Sequence, residues 1–454
     1  MKIIIVGAGE VGYHIASRLA FENKDVVVID KSVEAVRRIT ENLDVQGIIA
    51  SGSSPETLEK AGIKQAEILL AVTDSDEANL VACLMADMLS PATRTLARIR
   101  NAHYDDYHAA FKEAPPHINT VINPEIEVVK TIYRLMKIPA AVDMGELAEG
   151  RVKFVGLRLD KNSPMAGVRL MDFASMFGQT RPLIAAVVRR QELIIPRGEH
   201  RLEVGDLVYF ICENNRLKET VALFDTTTIS LRRVMIVGGG RIGERLATLM
   251  EKECIQTKII ESNLDRCHVL SEKMSKAVVL HGDGSDQNLL LEENVGETDV
   301  VVALTNDEET NILVSLLAKN LGAKSTITKV SKFSYIPLMS TIGLQKVVSP
   351  RLSAISSILH DVRKGKVLSA ISVLGEEAEM IEAIALETSA ITGRPLKKIS
   401  FPKGAILVSI IREDAIMIPS GESVVEPGDR LIIFARRQVV HKLEKMLTVK
   451  LEFF

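Results

Sequence analysis

The sequence predicts an α/β protein with two tandem parallel-sheet domains, each followed by a connecting helix and a smaller α+β lobe. Three observations carry this prediction: a glycine-rich motif that occurs twice, apolar strand patterns that alternate with helix patterns after each copy, and a further repeated pattern in the regions beyond. The first glycines of the two motifs lie 231 residues apart, at positions 7 and 238. Self-similarity at a fixed spacing indicates a duplicated structural unit.

Each motif has the form G-x-G-x-x-G and lies between two apolar runs, the second of which ends in an acid. The first loop occupies residues 7–12 and its acid is Asp30, whereas the second loop occupies residues 238–243 and its acid is Glu261. The two acids are also 231 residues apart. One such motif is weak evidence, but two copies after strand patterns predict two Rossmann-like domains.

The residue types indicate what these loops bind. The first glycine permits a tight turn, the second lets the backbone approach a pyrophosphate, and the third lets the next helix pack closely. The pyrophosphate then lies on the positive N-terminus of that helix. Asp30 and Glu261 can accept the ribose hydroxyls and disfavour the 2′-phosphate of NADP. Because all these contacts involve the ADP portion, NAD, NADH, ATP and ADP remain open, as does a degenerate domain that keeps its glycines for packing.

The remaining elements of the first half follow in order. Strand patterns are predicted at 2–6, 25–29, 45–50, 68–72 and 96–99, and helix patterns begin near Glu10, Ser32, Ser53–Glu56 and Asp76. Continuous apolar strands separated by helices predict a parallel sheet that is covered on both faces. The nucleotide belongs at the carboxyl ends of the strands. The same order recurs after residue 232.

Polar residues end the fourth and fifth strands of both halves. They are Thr73, Asp74 and Arg98 in the first half and Thr305, Asn306 and Lys329 in the second. The two cations can meet phosphate charge or can simply be solvated basic residues. The two threonines can hydrogen-bond a nucleotide or cap the helix that follows.

Each Rossmann-like half is followed by a helix signal in which a capping side chain precedes proline, at Asn123-Pro124 and at Ser349-Pro350. The apolar face of the first helix indicates either an intramolecular packing stripe or a helix that crosses to another subunit. The β-rich regions beyond share a Pro-x-Gly…Gly-Asp pattern, which predicts hairpin turns. The predicted domains are 1–122, 123–141 and 142–226 in the first half and 232–348, 349–367 and 368–454 in the second.

Composition excludes several classes of protein. The chain has 454 residues, of which 46% are hydrophobic and 25% charged, as in ordinary globular proteins. A net charge of −3 gives no electrostatic footprint for nucleic acid. No apolar run approaches the length of a membrane span, so we expect any membrane association to come through a partner and not by direct insertion. The four cysteines have no metal-ligand spacing and indicate reduced thiols, and no metal site is predicted.

No catalytic residue is predicted. A dehydrogenase needs a proton-transfer residue and a substrate lobe. His103, His108 and His117 follow the fifth strand of the first half but have no counterparts in the second, and no hydrolase, Walker or zinc-protease motif occurs. The sequence therefore favours nucleotide binding without chemistry. The alternatives are an NAD-dependent oxidoreductase and a scaffold whose Rossmann-like halves only dimerise.

Residues 1–12, residues 71–79 and the two Pro-x-Gly…Gly-Asp hairpins, taken with the duplicated order, resemble the TrkA family of Trk-system potassium uptake regulators over essentially the whole chain. The resemblance implies two RCK (regulator of potassium conductance) modules, each with an N-terminal Rossmann lobe and a C-terminal RCK-C lobe. It also implies a cytoplasmic regulatory subunit, peripheral on the inner membrane, that forms a homo-oligomer (a dimer or a tetrameric ring). Such a subunit gates a Trk-type membrane potassium-translocating partner in response to NAD(H) or ATP/ADP.

Carried over by position, the resemblance implies nucleotide contacts in both halves. In the first half these are Gly7, Ala8, Gly9, Glu10, Val11, Gly12, Asp30, Thr73, Asp74 and Arg98. In the second half they are Gly238, Gly239, Gly240, Arg241, Ile242, Gly243, Glu261, Thr305, Asn306 and Lys329. The family pattern places Gly-Asp after the third strand, as in Gly282-Asp283, whereas the first half has Gly52-Ser53. This departure leaves open whether the two sites bind the same ligand.

Overall fold

The computed structural model describes residues 1–113, 117–138, 140–178, 182–190, 192–224, 231–362, 369–373, 377–413 and 415–447. The chain divides into two compact units. The first comprises Met1–Val128 and Ser349–Arg363, and the second comprises Val129–Val348 and Lys364–Phe454. The helix that follows each Rossmann-like half therefore belongs, wholly or in part, to the unit of the other half. The predicted domain boundaries at residues 226 and 367 fall outside the described residues.

The first half is a doubly wound parallel sheet. In chain order its elements are β1 (Lys2–Val6), α1 (Glu10–Phe21), β2 (Asp25–Asp30), α2 (Val33–Asn42), β3 (Gln46–Ile49), α3 (Pro55–Lys60), β4 (Ile68–Ala71), α4 (Asp76–Leu89), β5 (Arg94–Arg98), α5 (His108–Glu113), β6 (Thr120–Ile122) and α6 (Pro124–Lys137). The strand order is β3-β2-β1-β4-β5-β6. The predicted strands are confirmed to within two residues at their ends, whereas the short β6 was not predicted. Because the order reverses between β1 and β4, a crevice opens there at the carboxyl ends of the strands.

Two five-stranded antiparallel lobes and a second parallel sheet make up the rest of the chain. The first lobe contains β7 (Ala141–Leu147), β8 (Val152–Arg158), α7 (Phe173–Phe177), β9 (Leu183–Arg189), β10 (Glu192–Ile194), β11 (Leu207–Glu213) and α8 (Leu217–Phe224). The second Rossmann-like half contains β12 (Arg233–Val237), α9 (Arg241–Lys252), β13 (Gln256–Glu261), α10 (Leu264–Lys273), β14 (Val278–His281), α11 (Gln287–Glu292), β15 (Val300–Ala303), α12 (Glu308–Asn320), β16 (Thr326–Lys329), α13 (Ile336–Thr341) and β17 (Lys346–Val348). After α14 (Pro350–Val362), the second lobe contains β18 (Ser369–Val373), β19 (Ala378–Ile384), β20 (Ala405–Arg412), β21 (Ala415–Met417), β22 (Arg430–Arg436) and α15 (Val440–Leu447).

The duplication extends to strand order. The second parallel sheet has the order β14-β13-β12-β15-β16-β17, which repeats that of the first. The lobes have the matching orders β10-β9-β11-β8-β7 and β21-β20-β22-β19-β18. Within the second unit the two lobes share one apolar core, to which each contributes buried aromatic side chains, including Phe154 and Tyr209 from the first and Phe434 from the second. This arrangement establishes a tandem α/β fold with two repeated α+β lobes.

Helix α14 is part of the first unit, where it packs against α1 and β6. The Arg94 guanidinium donates to the carbonyl of Asp361 near the end of this helix, with an Nη2–O distance of 3.1 Å. The helix therefore connects the second Rossmann-like half to the second lobe in sequence while it packs on the first half in space. Within the described ranges, no helix combines the length and apolar character that crossing a bilayer requires.

The prediction of hairpin turns at the repeated Gly-Asp pattern was wrong, because the flanking strands, β10 and β11 in the first lobe and β21 and β22 in the second, are not neighbours in their sheets. The pattern holds a buried ion pair instead. Gly205 has a φ of +91°, which glycine tolerates best, and the following Asp206 is buried. Its carboxylate accepts two hydrogen bonds from Arg189, each 2.8 Å long, and one from the backbone N–H of Glu203. The second lobe repeats these contacts with Arg412 and Asp429. Burial raises the pKa of Asp429, but the hydrogen bonds from Arg412 and from the backbone outweigh it and hold that pKa below its ordinary value.

We expect Arg189→Met to destabilise the first lobe, because it leaves the buried carboxylate of Asp206 without its cation. Hydrogen bonds to a charged group contribute about 1.5–3 kcal/mol, and a loss of this size should appear as an earlier transition in urea unfolding. Arg190→Met, at the exposed next residue outside this pair, is the matched control and should unfold like the parent. Equal transitions for the two variants would show that the ion pair does not stabilise the lobe.

Candidate functional site

A cavity of about 850 Å³ lies in the first unit, at the carboxyl ends of the strands of the first sheet. This volume is within the range of small-molecule sites. The lining comes from the glycine loop, the end of β2, the loops after β3 and β4, the end of β5 and Arg351 of α14. Nine of the ten residues predicted for the first half line it: Gly7, Ala8, Gly9, Glu10, Val11, Asp30, Thr73, Asp74 and Arg98. The tenth, Gly12, packs behind the loop.

The glycines of the first loop have two distinct purposes. Gly7 has a φ of +114°, and a Cβ there would lie 2.9 Å from the backbone nitrogen of Thr73. A Cβ on Gly12 would lie 1.9 Å from the carbonyl oxygen of Gly7. The fold itself therefore requires these two glycines. Gly9 differs, because its φ is −66° and no protein atom lies within 4 Å of the position of its Cβ.

The second loop repeats this division. Gly238 has a φ of +106° and approaches the backbone of Thr305, while a Cβ on Gly243 would lie 2.1 Å from the carbonyl oxygen of Gly238. Gly240 has a φ of −63° and an open Cβ position. Neither backbone conformation nor packing against protein accounts for glycine at residues 9 and 240. Open space beside a helix N-terminus is what an approaching phosphate requires.

The acids at the ends of the second strands hold the glycine loops in place. Asp30 accepts the backbone N–H of Ala8 at 2.6 Å through one carboxylate oxygen and that of Ser32 at 2.9 Å through the other. Glu261 accepts the N–H of Gly239 at 2.7 Å and that of Asn263 at 2.9 Å in the same way. Each carboxylate oxygen has further lone pairs, so both acids can also accept ribose hydroxyls.

Two arginines brace the loops from the second helix of each half, and the sequence reasoning missed them. In the first half, Arg38 of α2 donates to Glu10 at 2.9 Å and to the carbonyl of Ala8 at 3.4 Å. In the second half, Arg266 of α10 donates to the carbonyl of Gly239 at 2.7 Å and pairs with Glu244. The arginines stand at different positions of the repeat, since residue 38 corresponds to 269 at the 231-residue spacing. Only the three-dimensional structure reveals that they have the same role.

A buried asparagine bridges the ends of the fourth and fifth strands in each half. The side-chain oxygen of Asn79 accepts the backbone N–H and the hydroxyl of Thr73, at 2.8 and 2.7 Å. Its amide donates to the carbonyls of Thr73 and Arg98, at 3.1 and 2.8 Å. Asn311 makes the same four contacts with Thr305 and Lys329. The four hydrogen bonds fix the loop that faces the glycine loop.

The helix cap, one of the two alternatives for the threonines, is excluded by the contacts of this bridge. The hydroxyl of Thr73 is bound to Asn79 and to the carbonyl of Ser75, and the cap of α4 is Ser75, which accepts the N–H of Ala78. Thr305 is held in the same way by Asn311, and Asp307 caps α12. Neither threonine is the helix cap. Asn306, which was predicted as a ligand contact, lies in the loop between Thr305 and that cap.

The predicted cations are both buried at strand ends. Arg98 donates to the carbonyl of Thr73 at 2.9 Å and to the carboxylate of Asp74 at 2.8 Å. Burial lowers the pKa of Arg98, and the hydrogen bond with Asp74 offsets part of this. The guanidinium therefore lines the cavity while it holds the loop after β4. Lys329 is buried as well, and its backbone carbonyl accepts from Asn311.

After the third strand, the residues of the first half that correspond to Gly282-Asp283 lie two positions earlier than the sequence comparison predicted. The N–H of Ala50 donates to the carbonyl of Asp30, just as the N–H of Gly282 donates to that of Glu261. Cβ atoms on Gly52 and Gly284 would meet the matching valines of the first strands at 2.2 and 2.1 Å. The counterpart of Gly282-Asp283 is therefore Ala50-Ser51, and the comparison with Gly52-Ser53 was wrong. The two halves still differ, because Ser51 replaces the acid Asp283.

The other predicted residues of the second half lie at the start of α9. Arg241 and Ile242 form its first turn, with Gly240 at the cap. Among the histidines considered for catalysis, the side chain of His108 lies outside the described residues, and the ring of His117 lies 3.6 Å from Asp87. His103 and His117 are not among the residues that line the cavity.

Two family models each match the chain twice. The TrkA-N domain matches residues 3–124 and 234–350, and the TrkA-C domain matches residues 154–225 and 380–448. The Trk system potassium uptake protein TrkA of Azorhizobium caulinodans is 36% identical over 458 residues, covering 100% of both chains. That of Halomonas elongata is 36% identical with the same coverage. Homolog 1 of Methanosarcina mazei is 35% identical and covers 98% of this chain and 99% of its own.

Solved structures share the tandem fold at low identity. The GsuK RCK domain has a TM-score of 0.60 at 19% identity, covering 98% of this chain and 94% of that one. The GsuK channel bound to NAD has a TM-score of 0.61 at 20% identity, covering 98% of this chain and 78% of that one. At such identities the likeness concerns the fold alone.

We expect Gly9→Ala to leave the fold intact and to weaken binding of an adenine nucleotide at the first site. The added methyl group would meet no protein atom within 4 Å, but it would meet the phosphate of a nucleotide bound at this loop. Overpacking costs roughly 1–3 kcal/mol, which isothermal titration calorimetry would measure as lost affinity. Gly12→Ala is the contrasting variant, since its methyl group collides with the carbonyl of Gly7 and should lower the unfolding midpoint. Unchanged affinity in the Gly9 variant would count against phosphate binding at this loop.

We expect Asn79→Leu to destabilise the first Rossmann-like half, because it leaves the N–H of Thr73 and the buried carbonyl of Arg98 without their partner. A buried group left unpaired costs about 1–3 kcal/mol, and urea unfolding followed by circular dichroism would measure the loss. Asn42→Leu is the control, since that exposed amide makes one hydrogen bond, to the carbonyl of Arg38. A loss no greater than that of the control would refute a structural role for the bridge.

Proposed function

Since this chain belongs to the TrkA family of Trk-system potassium uptake proteins, we propose that it is the nucleotide-sensing regulatory subunit of a Trk-type potassium uptake system. It binds NAD(H) or ATP/ADP in two Rossmann-like sites and gates a membrane potassium-translocating subunit. It acts as a homo-oligomer at the cytoplasmic face of the membrane. We also propose that its RCK modules have the boundaries 1–122 and 142–226, and 232–348 and 368–454, joined by the connecting helices.

One observation carries the nucleotide part of this proposal: the open Cβ positions of Gly9 and Gly240 beside the N-termini of α1 and α9. Fold and packing explain the other motif glycines, so the open space at these two positions supports a ligand site there. The N-terminus of a helix is suited to an anion, and the acid at the end of the second strand is suited to a ribose. A phosphate-linked nucleoside satisfies both requirements. NAD is the first ligand to test, since a solved protein of this fold holds it.

The chemistry of the cavity supports binding without turnover. Its acidic lining residues are Glu10, Asp30, Glu34 and Asp74, and no histidine, cysteine or tyrosine is among its lining residues. Three of these acids are already bound by N–H groups or by arginine, which suits them for positioning and not for proton transfer. We therefore propose that nucleotide is a signal and not a substrate. Sustained consumption of NADH by the pure protein with a metabolite pool would overturn this.

A bound nucleotide can regulate only if it binds two arrangements of the protein with different affinity. The ADP portion would contact the glycine loop after β1, the acid of β2 and the loop after β4 at once. Its binding free energy therefore acts on the relative positions of these three segments. Potassium flux through the membrane subunit, reconstituted with this protein and titrated with NAD, NADH, ATP and ADP, tests the proposal. Flux that does not respond to any of these nucleotides would contradict it.

We expect Asp30→Ala to weaken the first site and to leave the second nearly unchanged. The variant loses the ribose acceptor and the contact that holds the N–H of Ala8. Hydrogen bonds to charged groups contribute about 1.5–3 kcal/mol, or about tenfold to a hundredfold in affinity. Calorimetry with NADH resolves the two sites, and Glu261→Ala is the reciprocal variant. Equal effects of one substitution on both sites would contradict the assignment.

We expect NADPH to bind distinctly more weakly than NADH at both sites, because its 2′-phosphate would lie against the carboxylates of Asp30 and Glu261. Competition between the two cofactors in the same calorimetric cell measures the difference. In Asp30→Asn the discrimination at the first site should shrink, since the repelling charge is gone while the shape is kept. Equal affinity of the unaltered protein for NADPH would show that these acids do not face the ribose.

A further inference from the structure

Arg351 lines the first cavity together with the glycine loop, although it lies in α14, beyond the end of the second Rossmann-like half. The helix reaches this place because it packs on α1, whose N-terminus faces the cavity. The first site is thus lined by residues from the two ends of a long stretch of chain. The helix thereby adds a cation to a cavity whose lining also includes Gly9.

The location of Arg351 in its helix is unfavourable for the helix itself. It stands in the first turn of α14, where the positive end of the helix dipole repels a cation. The first turns of α1, α2, α4 and α12 carry acids instead. The matching position in α6 is an acid as well, since Asn123-Pro124-Glu125 corresponds to Ser349-Pro350-Arg351. A cation at this end of a helix is favoured once an anion lies beside it.

The charges around the cavity favour Arg351 as a phosphate ligand. Arg38 and Arg98 also line it, so the lining of this cavity contains three arginines. A phosphate chain brings several negative charges, and a guanidinium fork binds phosphate oxygens in a bidentate manner.

We propose that Arg351 completes the first nucleotide site by donating to the phosphate groups of the ligand, so that a bound nucleotide fastens α14 to the first Rossmann-like half. This inference rests on the proposed function, because it uses the nucleotide proposed there. It adds that binding at the first site depends on the position of α14, a helix from the second half of the sequence. The corresponding residue of α6 is the acid Glu125.

The test compares the full-length protein with Arg351→Gln by calorimetry with ADP and by hydrogen–deuterium exchange over residues 350–362. We expect Arg351→Gln to lower the affinity of the first site for ADP about tenfold to a hundredfold. Saturating ADP should slow exchange in α14 of the parent protein but not in the variant. Lys31→Gln is the matched control, because it removes a lining cation of the first half. It should keep the ADP-dependent protection of α14 whatever its effect on affinity.

The outcomes separate this inference from the proposed function. If the parent protein binds no nucleotide, the proposed function fails and this inference fails with it. If Arg351→Gln binds ADP as tightly as the parent and α14 is equally protected, the inference is wrong while the proposed function stands. Should the variant unfold at a lower temperature without ligand, Arg351→Lys decides. Lysine keeps the positive charge but loses the forked pair of N–H donors, so we expect Arg351→Lys to lose less affinity for ADP than Arg351→Gln and to keep the protection of α14 from exchange. Full parental affinity in Arg351→Lys would show that the forked contact is not made.

Discussion

The close approach of two backbone segments, the glycine loop after β1 and the loop after β4, is the constraint on which the rest of the first site depends. A side chain on Gly7 would lie 2.9 Å from the backbone nitrogen of Thr73, so no other residue allows the contact. This contact sets where α1 begins, and Gly12 then lets the helix pack over the loop. The N-terminus of α1 thereby faces the cavity, and the acid of β2 falls beside it. The second half satisfies the same constraint with Gly238 and Thr305.

The loop after β4 needs its own support, because it lies beyond the end of the strand and has no strand partner. Asn79 supplies it with four hydrogen bonds from a fully buried amide, and Asn311 supplies the same in the second half. A fully satisfied buried amide rigidifies its surroundings, whereas a partly satisfied one is costly. The site is therefore built on a rigid frame, in which Arg98 acts partly as a brace and partly as a lining cation.

The sequence predicted the fold class, the first five strands of the first half and nine of the residues that line the first cavity, because glycine spacing, apolar strands and strand-end acids are local signals. It could not predict Asn79 or Arg38, whose partners lie in other elements. The offset at Gly52 illustrates the limit, since a register error of two residues leaves the glycine pattern looking intact. Pairing with β2 fixes the register, and the pairing is visible only in the structure. Nor could sequence place α14 with the first half, because packing across the chain has no local signature.

The two halves share the same fold but carry different charged residues at matching positions, and this difference matters for a regulator. Ser51 faces the first cavity where the second half has Asp283, and Arg351 stands where α6 has Glu125. The first cavity therefore has a neutral residue and a cation at positions where the matching segments of the repeat carry acids. A ligand shifts an equilibrium only by the difference between its affinities for the two states. Under the proposed function, displacing α14 would remove Arg351 from the first site and lower the affinity of that site for the nucleotide, which would tie its occupancy to the position of α14.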